Sequence, residues 1–299
     1  MHHKQVNMKN HRYAIITPVR DEAKHIQFTL ESVVSQSITP MKWIIVDDGS
    51  VDGTGEILDA FAATHEWMEV LHRKNRGFRA SGGGVMEAFY DGYALLEGDS
   101  WDFLVKLDGD LSFDSLYFER CLDHFDGQEK LGIGGGTVCV NENGRPVVDS
   151  IGDPPFHVRG ATKIYRRACW EQIDPLPKVP GWDTIDEVKA NFHGWHTKTF
   201  KELLLMQHKP TGSSDGRWRN WYKNGVANYM TGYHPIFMLA KCLKRAARKP
   251  LLIGSTALLA GYCKGYFERT PMAIEMEVIR YLRRQQIRRL MMKNSIYGS

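Results

Sequence analysis

Two acids separated by one residue, Asp108 and Asp110, follow the apolar run Phe103–Leu107 in the segment DFLVKLDGDLSF. An isolated pair of this kind is usually a solvated turn, but carboxylates gathered at the end of a buried strand need a compensating positive charge. Carboxylate oxygens are the ligands that Mg²⁺ and Mn²⁺ prefer, and these cations often bind together with substrate phosphates. We therefore predict that Asp108 and Asp110 bind a divalent cation. Arg76 and Arg79, in a nearby loop, could contact a phosphate.

A second group of acids lies in the segment GWDTIDEVKANFHGW, residues 181–195. If the segment is helical, Asp186 and Glu187 lie three and four residues after Asp183, on one side of the helix. Like charges at this spacing cost about 0.2–0.5 kcal/mol a pair, so stability alone does not favour them. One of these acids could act as a general base beside a metal-phosphate centre. The alternative is that Asp183 caps the helix and the other two are favourable acids in its first turn.

Polar side chains also follow two earlier apolar runs. Asp47 and Asp48 precede Gly49-Ser50, where one acid is expected to cap the next helix. The other acid could accept hydrogen bonds from a ribose hydroxyl or a base NH. Residues 17–22, which include Pro18 and Glu22, could form a wall of the same pocket.

Three residues further along the chain are candidates for substrate or metal contact. His208 follows the apolar run LLLM and could contact the metal or a phosphate. Arg217 and Trp218 could clamp a diphosphate or stack on a sugar ring, although a surface loop with half-buried aromatic residues explains them equally well. The glycine runs at 82–84 and 134–136 fit neither phosphate-binding fingerprint and indicate tight backbone approach instead.

The elements that must position these residues alternate between strands and helices. Apolar runs predict strands at 13–18, 42–46, 68–72 and 103–107, and helical spacing predicts helices at 21–35, 53–64 and 84–97. This alternation predicts an α/β fold with a mostly parallel, Rossmann-like sheet and helices on both faces. Ligands of such sheets bind beyond the carboxyl ends of the strands. Because each polar motif falls at such an end, we expect the loops to converge on one crevice.

The rest of the chain has a different pattern. Residues 132–138 and 158–167 are typical of strands in a mixed sheet, and residues 187–208 read as mostly helical or looped. The chain is predicted to be helical from 233 almost to its end. We expect a catalytic domain at 1–232 and a C-terminal helical region at 233–299.

Composition narrows the class of protein. The chain has 299 residues with 42% hydrophobic and 25% charged residues, which is ordinary for a folded globular protein. Its five scattered cysteines argue against a disulfide framework and a zinc site, and they favour a reducing compartment. The first residues lack the apolar core of a signal peptide, so a cytoplasmic location is expected.

The C-terminal region is basic, with a net charge of +10 from residue 240 onward against −6 for the rest. Its uncharged run 251–263 is shorter than the roughly 20 residues that cross a bilayer. Basic amphipathic segments such as 277–293 can lie on an anionic membrane surface, which would place the protein at the inner face of the plasma membrane. The alternative is that these helices pack on the protein itself. Nucleic acid is not expected as a partner, because the body is acidic and no nucleic-acid motif is present.

Taken in order, IITPVRDEAKHIQFTLESVVSQ, IIVDDGSVDGT, KLDGDLSF and GWDTIDE resemble an inverting family 2 glycosyltransferase with the GT-A fold, over about residues 12–220. The resemblance implies a nucleotide-sugar donor and a role for each matching residue. Pro18 and Glu22 would line the nucleotide pocket, Asp48 would contact the base or ribose, Asp108 and Asp110 would hold the metal and diphosphate with Asp110 the direct ligand, and Asp186 would be the base. Asp183 is the alternative base, because Ile185 stands where the family has Glu.

The resemblance also implies Mn²⁺ or Mg²⁺ as cofactor and UDP as the default nucleotide. The acceptor would be a lipid-linked or other saccharide in bacterial cell-surface glycan assembly. Polymer-making members carry a Q-x-x-R-W signature, and here Ser214 replaces the Gln, which favours addition of a single sugar. A nucleotidyltransferase is the nearest rival enzyme, but it would usually have a glycine-rich loop after the first strand, and residues 17–22 contain no glycine.

Overall fold

A computed structural model describes residues 11–77, 83–149, 153–209, 216–246 and 252–298. Within these ranges nine strands form one sheet and ten helices surround it. The strands are β1 (Tyr13–Val19), β2 (Lys42–Asp47), β3 (Met68–His72), β4 (Phe103–Leu107), β5 (Leu111–Phe113), β6 (Leu131–Glu142), β7 (Arg145–Val148), β8 (Thr162–Arg166) and β9 (His196–Gln207). The helices are α1 (Ile26–Val34), α2 (Thr54–Ala62), α3 (Gly83–Ala94), α4 (Tyr117–Asp126), α5 (Arg167–Ile173), α6 (Trp182–Phe192), α7 (Arg217–Met230), α8 (Pro235–Ala246), α9 (Ile253–Phe267) and α10 (Met276–Leu290).

The first half of the sheet is parallel, in the order β3-β2-β1-β4. Alternate residues of β1 enter two different cores, which explains why its sequence is apolar throughout. Tyr13 and Ile15 pack in the core that includes residues of α1, α2 and α4. Ala14 and Ile16 pack in the core that includes residues of α3, α5 and α6. The predicted α/β fold with helices on both faces is confirmed.

The second half of the sheet is mixed, as expected, in the order β4-β8-β6-β9-β5 with β7 beside β6. The prediction that residues 187–208 are mostly helical or looped is wrong for β9, a strand of 12 residues. Its register against β6 shifts between Gly136 and Thr137, so its buried residues do not alternate regularly. That irregularity, together with the run LLLM, hides the period of two by which a strand is recognised.

The glycine run in β6 allows close packing, as predicted. A side chain at Gly135 would lie 2.5 Å from the carbonyl oxygen of Thr162 on β8. A side chain at Gly136 would collide with the carbonyl oxygen of Leu203 on β9. The neighbouring backbones therefore exclude any larger residue at these two positions.

Helices α7 to α10 build a third core that also contains Phe156 and Val188 of the preceding chain. Helix α7, on the other side of the expected boundary at 232, packs closely on α9, where Gly225 and Gly261 let the two backbones meet. Most of the apolar run 251–263 lies in α9, where Ala257, Leu258 and Tyr262 are buried and Ile253 and Leu259 are 49% and 37% exposed, so packing within the protein explains part of its composition. Among the described helices none combines the length and apolar character needed to cross a bilayer.

Candidate active site

A cleft of about 190 Å³ opens at the carboxyl ends of β1, β2 and β4. Its walls include Pro18, Glu22, Asp48, Asp108 and Asp110, five of the residues singled out in the sequence. They come from three strand ends, so the predicted convergence holds for the segments that follow β1, β2 and β4, and from the segment after β3 Arg76 contacts Asp48. Glycine 84 at the start of α3 also lines the cleft, where a small residue leaves room for a ligand.

The two acids after β2 have different positions. Asp47 lies outside the cleft and stabilises the turn, since its carboxylate accepts a hydrogen bond from the Ser50 amide at 2.9 Å and lies 3.0 Å from Nδ1 of His72. Asp48 faces the cleft and is held by two arginines. Arg73 Nη1 and Arg76 Nη2 each donate to one of its oxygens at 2.5 Å.

This arginine pair matters for the charge of the cleft. It offsets the charge of Asp48 at the wall where the nucleotide was expected, and its own charge is shared with Glu87 and Asp91 of α3. The sequence analysis considered Arg76 for a phosphate and missed Arg73, which directly follows β3. Arg79, also expected near the phosphate, lies outside the described residues.

Asp110 is almost fully buried, and Gln207 Nε2 of β9 donates to its carboxylate at 3.2 Å. Burial raises the pKa of Asp110 to about 7, and the neighbouring charges of Asp108 and Glu22 add to the shift. A carboxylate in such surroundings is stabilised by a cation. Gln207 could not be identified beforehand, because the strand that carries it was not predicted.

The two carboxylates fit a hard divalent cation whose remaining ligands come from a substrate and from water. Asp108 and Asp110 supply carboxylate oxygens from one wall of the cleft. Within the described ranges no third His, Cys, Asp or Glu joins them in a complete metal-binding group. The remaining ligands would then be diphosphate oxygens and water, which is how Mg²⁺ is commonly bound with phosphates.

Lys106 supplies a positive charge next to Asp108. It lies in the apolar strand β4, only 2% of it is exposed, and its ammonium group pairs with the Asp108 carboxylate. The same nitrogen donates to the carbonyl oxygen of Gly160 at 2.6 Å. Sequence reasoning missed Lys106, because a single lysine in an apolar strand gives no periodic signal.

His208 does not enter the cleft. Its ring stacks on Phe28 with centroids 3.9 Å apart, and its Nε2 lies 2.8 Å from the Ser112 hydroxyl. Only its backbone approaches the metal motif, where its amide donates to the Asp110 carbonyl at 2.9 Å. The structure therefore does not bring the His208 ring together with Asp108 and Asp110.

Asp186 and Glu187 are fully buried, against the expectation that Asp186 is available to a substrate. Lys163 Nζ of β8 lies 2.8 Å from both oxygens of Asp186 and 2.9 Å from Glu187 Oε1. The hydroxyl of Tyr165 also donates to Asp186, at 2.6 Å. With no exposed surface and its oxygens engaged in this ion pair, Asp186 is placed as a structural residue, and this corrects its assignment as the base.

Asp183 is partly exposed at the beginning of α6. Its carbonyl oxygen accepts a hydrogen bond from Lys163 at 2.5 Å. A side chain at Gly160 would lie 3.2 Å from the Asp183 carboxylate. The carbonyl oxygen of Gly160 accepts a hydrogen bond from Lys106. Asp183 does not line the cleft, but it is linked to the metal motif through Gly160 and Lys106, which pairs with Asp108.

The residue before α6 also touches α7. Gly181 has φ 88°, and a side chain there would lie 3.1 Å from the Ala227 side chain of α7. At the start of α7, Trp218 is 51% exposed and is not among the residues that line the cleft. The side chain of Arg217 lies outside the described part of the chain.

A cleft at the carboxyl ends of a parallel half-sheet is where α/β proteins of this kind bind their ligands. The sequence model of glycosyl transferase family 2 matches residues 14–173, more than half of the 299 residues, and the chain belongs to this family.

Three curated relatives illustrate the family. The chain is 30% identical to glycosyltransferase AglE of Haloferax volcanii over 135 residues, 44% of this chain and 41% of that protein. It is 29% identical to polyprenol monophosphomannose synthase of Mycolicibacterium smegmatis over 179 residues, 54% and 64% of the two chains. It is 30% identical to glycosyltransferase GlyG of Streptococcus pneumoniae over 86 residues, 29% and 27%. The chain spans less than two thirds of the length of each of these relatives.

Solved structures show the same fold. A mannosyltransferase, PcManGT of Pyrobaculum calidifontis in complex with GDP-Man and Mn²⁺, has a TM-score of 0.55 at 16% identity and covers 95% of this chain and 81% of that one. Residues 1–349 of S. aureus TarS in complex with UDP-GlcNAc have a TM-score of 0.53 at 16% identity and cover 92% and 79%. The expected GT-A fold is confirmed.

Proposed function

We propose that this chain transfers a sugar from a nucleotide-diphosphate donor to an acceptor hydroxyl, with inversion at the anomeric carbon. The observation that carries the proposal is the gathering of Pro18, Glu22 and Asp48 with Asp108 and Asp110 in one cleft. The nucleoside would occupy the Asp48 side. The diphosphate would lie toward Asp108 and Asp110, which would hold Mn²⁺ or Mg²⁺.

The chemistry then follows from the charges. The bound cation would offset the negative charge that the diphosphate gains as it leaves. Asp183 takes the proton of the acceptor hydroxyl while the hydroxyl oxygen forms a bond to the anomeric carbon. The bond from that carbon to the diphosphate oxygen breaks on the opposite face, so one displacement inverts the configuration. General-base help of this kind contributes about 10²- to 10⁴-fold.

The Asp183→Asn variant tests the role of Asp183. Donor affinity should stay within about twofold, and turnover should fall by about 10²- to 10⁴-fold. Asp114→Asn is the control, because Asp114 is an acid near the start of another helix, α4, where its carboxylate accepts a hydrogen bond from the Leu116 amide. Near-normal turnover of Asp183→Asn would remove Asp183 from the role of base.

The donor nucleotide and the acceptor class are proposals from the relatives. UDP remains the default nucleotide, although the structural neighbours were solved in complex with GDP-Man as well as with UDP-GlcNAc. A lipid-linked acceptor is supported by the match to a polyprenol monophosphomannose synthase. Calorimetric titration with UDP- and GDP-sugars, with and without Mn²⁺, identifies the donor. Binding of none of them would contradict the proposed function.

A lipid-linked acceptor requires access to a membrane, and α8 provides a suitable surface. Ile236, Leu239 and Leu243 lie on one face of α8 and are 60%, 51% and 67% exposed. We call these three residues the α8 face. Exposed Lys244, next to Leu243, borders this face, so the apolar surface has a basic residue at its edge, as helices on anionic bilayers do.

This placement differs from the sequence expectation. The segment 277–293 was considered for the membrane surface, but its residues Val278, Ile279 and Leu282 pack inside the protein, while Leu290 is 37% exposed. We place the proposed contact at the inner face of the plasma membrane on the α8 face, because all of its residues are at least half exposed.

Sedimentation with vesicles tests the α8 face. The Leu239→Glu, Leu243→Glu double variant should lose binding to phosphatidylglycerol vesicles, because each substitution puts a charge into the apolar surface. Val148→Glu, at an exposed valine on β7, is the control and should bind like the wild type. Equal sedimentation of all three proteins would end the membrane proposal.

A further inference from the structure

Two buried lysines face each other across neighbouring strands. Lys106 of β4 and Lys163 of β8 are register partners in the antiparallel pair, with 2% and 0% exposure. Like charges directly opposite each other destabilise a sheet, and a buried ammonium group is costly unless it is paired. The positive charge of each lysine must therefore be compensated by its own acidic partner.

Each lysine has its own acid, and Trp182 lies close to both. The indole ring of Trp182 is 5.5 Å from Lys106 Nζ and 5.6 Å from Lys163 Nζ, within the range of cation–π attraction. Lys163 is paired with the buried Asp186 and Glu187. Lys106 is paired with Asp108.

The two ion pairs differ in what surrounds the acid. The acids that pair with Lys163 are fully buried. The side chain of Asp108 is 31% exposed and lines the cleft. The partner of Lys106 is thus also one of the two carboxylates proposed to hold the cation.

We infer that Lys106 is an internal counter-ion that competes with the divalent cation for Asp108. This inference rests on the proposed function, because it concerns the donor site. A cation arriving alone must share Asp108 with a buried ammonium group whose further partners, among the described residues, are the Gly160 carbonyl and the Trp182 ring. A nucleoside diphosphate brings oxygens and negative charge that compensate both positive groups. Cation and nucleotide binding are therefore coupled, and each increases the affinity for the other.

Titration with Mn²⁺ alone, and with Mn²⁺ in the presence of UDP or GDP, measures this coupling by the electron paramagnetic resonance signal of free Mn²⁺. In the wild type we expect weak binding of Mn²⁺ alone and strong enhancement by the nucleotide. In Lys106→Met the affinity for Mn²⁺ alone should rise at least tenfold, about 1.4 kcal/mol, and the enhancement should shrink. Lys106→Arg keeps the charge and should resemble the wild type.

Two controls separate the ion pair from a general change of charge. Lys42→Met removes a lysine that pairs with Glu69 at 3.0 Å on β2 and β3, and it should leave Mn²⁺ affinity unchanged. In an Asp108→Asn background the Lys106→Met substitution should have no further effect, because the carboxylate for which the two cations compete is gone.

Unchanged or weaker binding of Mn²⁺ alone by folded Lys106→Met, or a full effect in the Asp108→Asn background, would overturn the inference. Circular dichroism checks that each variant is folded, and Lys106→Gln replaces Lys106→Met if the latter is not. A wild type that binds Mn²⁺ and nucleotide without any Lys106 effect refutes only the counter-ion. A wild type that binds neither would overturn the proposed function as well.

Discussion

Replacing Asp186 by Asn should destabilise the protein strongly. Both oxygens of Asp186 lie 2.8 Å from Lys163 Nζ in a site without solvent exposure. Removing one partner of a buried ion pair typically costs about 3–5 kcal/mol, since it leaves a buried charge without compensation. Glu187 remains 2.9 Å from the same nitrogen, and Asn keeps the shape of Asp. We therefore expect the lower end, about 3 kcal/mol of the free energy of unfolding, or roughly a hundredfold in the ratio of folded to unfolded protein.

Urea denaturation followed by tryptophan fluorescence measures this loss. Asp183→Asn and Asp114→Asn serve as comparisons, because substitutions of exposed or partly exposed acids usually change the free energy of unfolding by no more than about 0.5 kcal/mol. The two variants of α6 should then have different defects: Asp186→Asn loses stability, and Asp183→Asn loses turnover at normal stability. An Asp186→Asn protein that is as stable as the wild type but inactive would refute the structural role of Asp186 and restore it as the base.

Three further predictions concern other parts of the molecule. Asp110→Asn should abolish the dependence of nucleotide affinity on Mn²⁺ in calorimetric titrations, and an unchanged dependence would remove Asp110 as a ligand. Burial would lower the pKa of His157, but the Glu187 carboxylate outweighs it and the pKa is raised. The stability contributed by this pair is therefore complete below about pH 6.5 and is lost as the pH rises through the pKa of the folded state; His157→Gln should lack that loss in urea midpoints measured across pH, and an identical pH profile would contradict it. Gly261→Ala should cost about 1–3 kcal/mol, because its side chain would collide with the Tyr222 carbonyl of α7, and wild-type thermal stability would disprove this close contact.

Much of the parallel half-sheet follows from the sequence. Strands β3 and β4 have the predicted bounds, because each is a short apolar run between polar turns. The acids that follow β2 and β4 reach the cleft because the carboxyl ends of parallel strands lie at one edge. Strand β9 was missed, since its pairing with β6 is long-range and its register shift breaks the alternation of buried residues.

The roles of individual acids were harder to predict, because they depend on cations from distant strands. Asp183 and Asp186 are three residues apart and equivalent in a local pattern. Lys163, more than 20 residues earlier in the chain, buries Asp186 and leaves Asp183 partly exposed. Lys106 likewise decides the surroundings of Asp108, and no spacing rule would select it from an apolar strand.

Because Gly181 and Ala227 lie close together, α7 supports the end of α6 that carries Asp183. Helix α7 rests in turn on α9 through Gly225 and Gly261. Truncating the chain after residue 232 would remove α9, on which α7 packs, and would therefore disturb the position of Asp183. Turnover would drop even with a water-soluble acceptor. Substitutions on the exposed side of α8 separate membrane binding from this effect, since they leave the packing of α6, α7 and α9 unchanged.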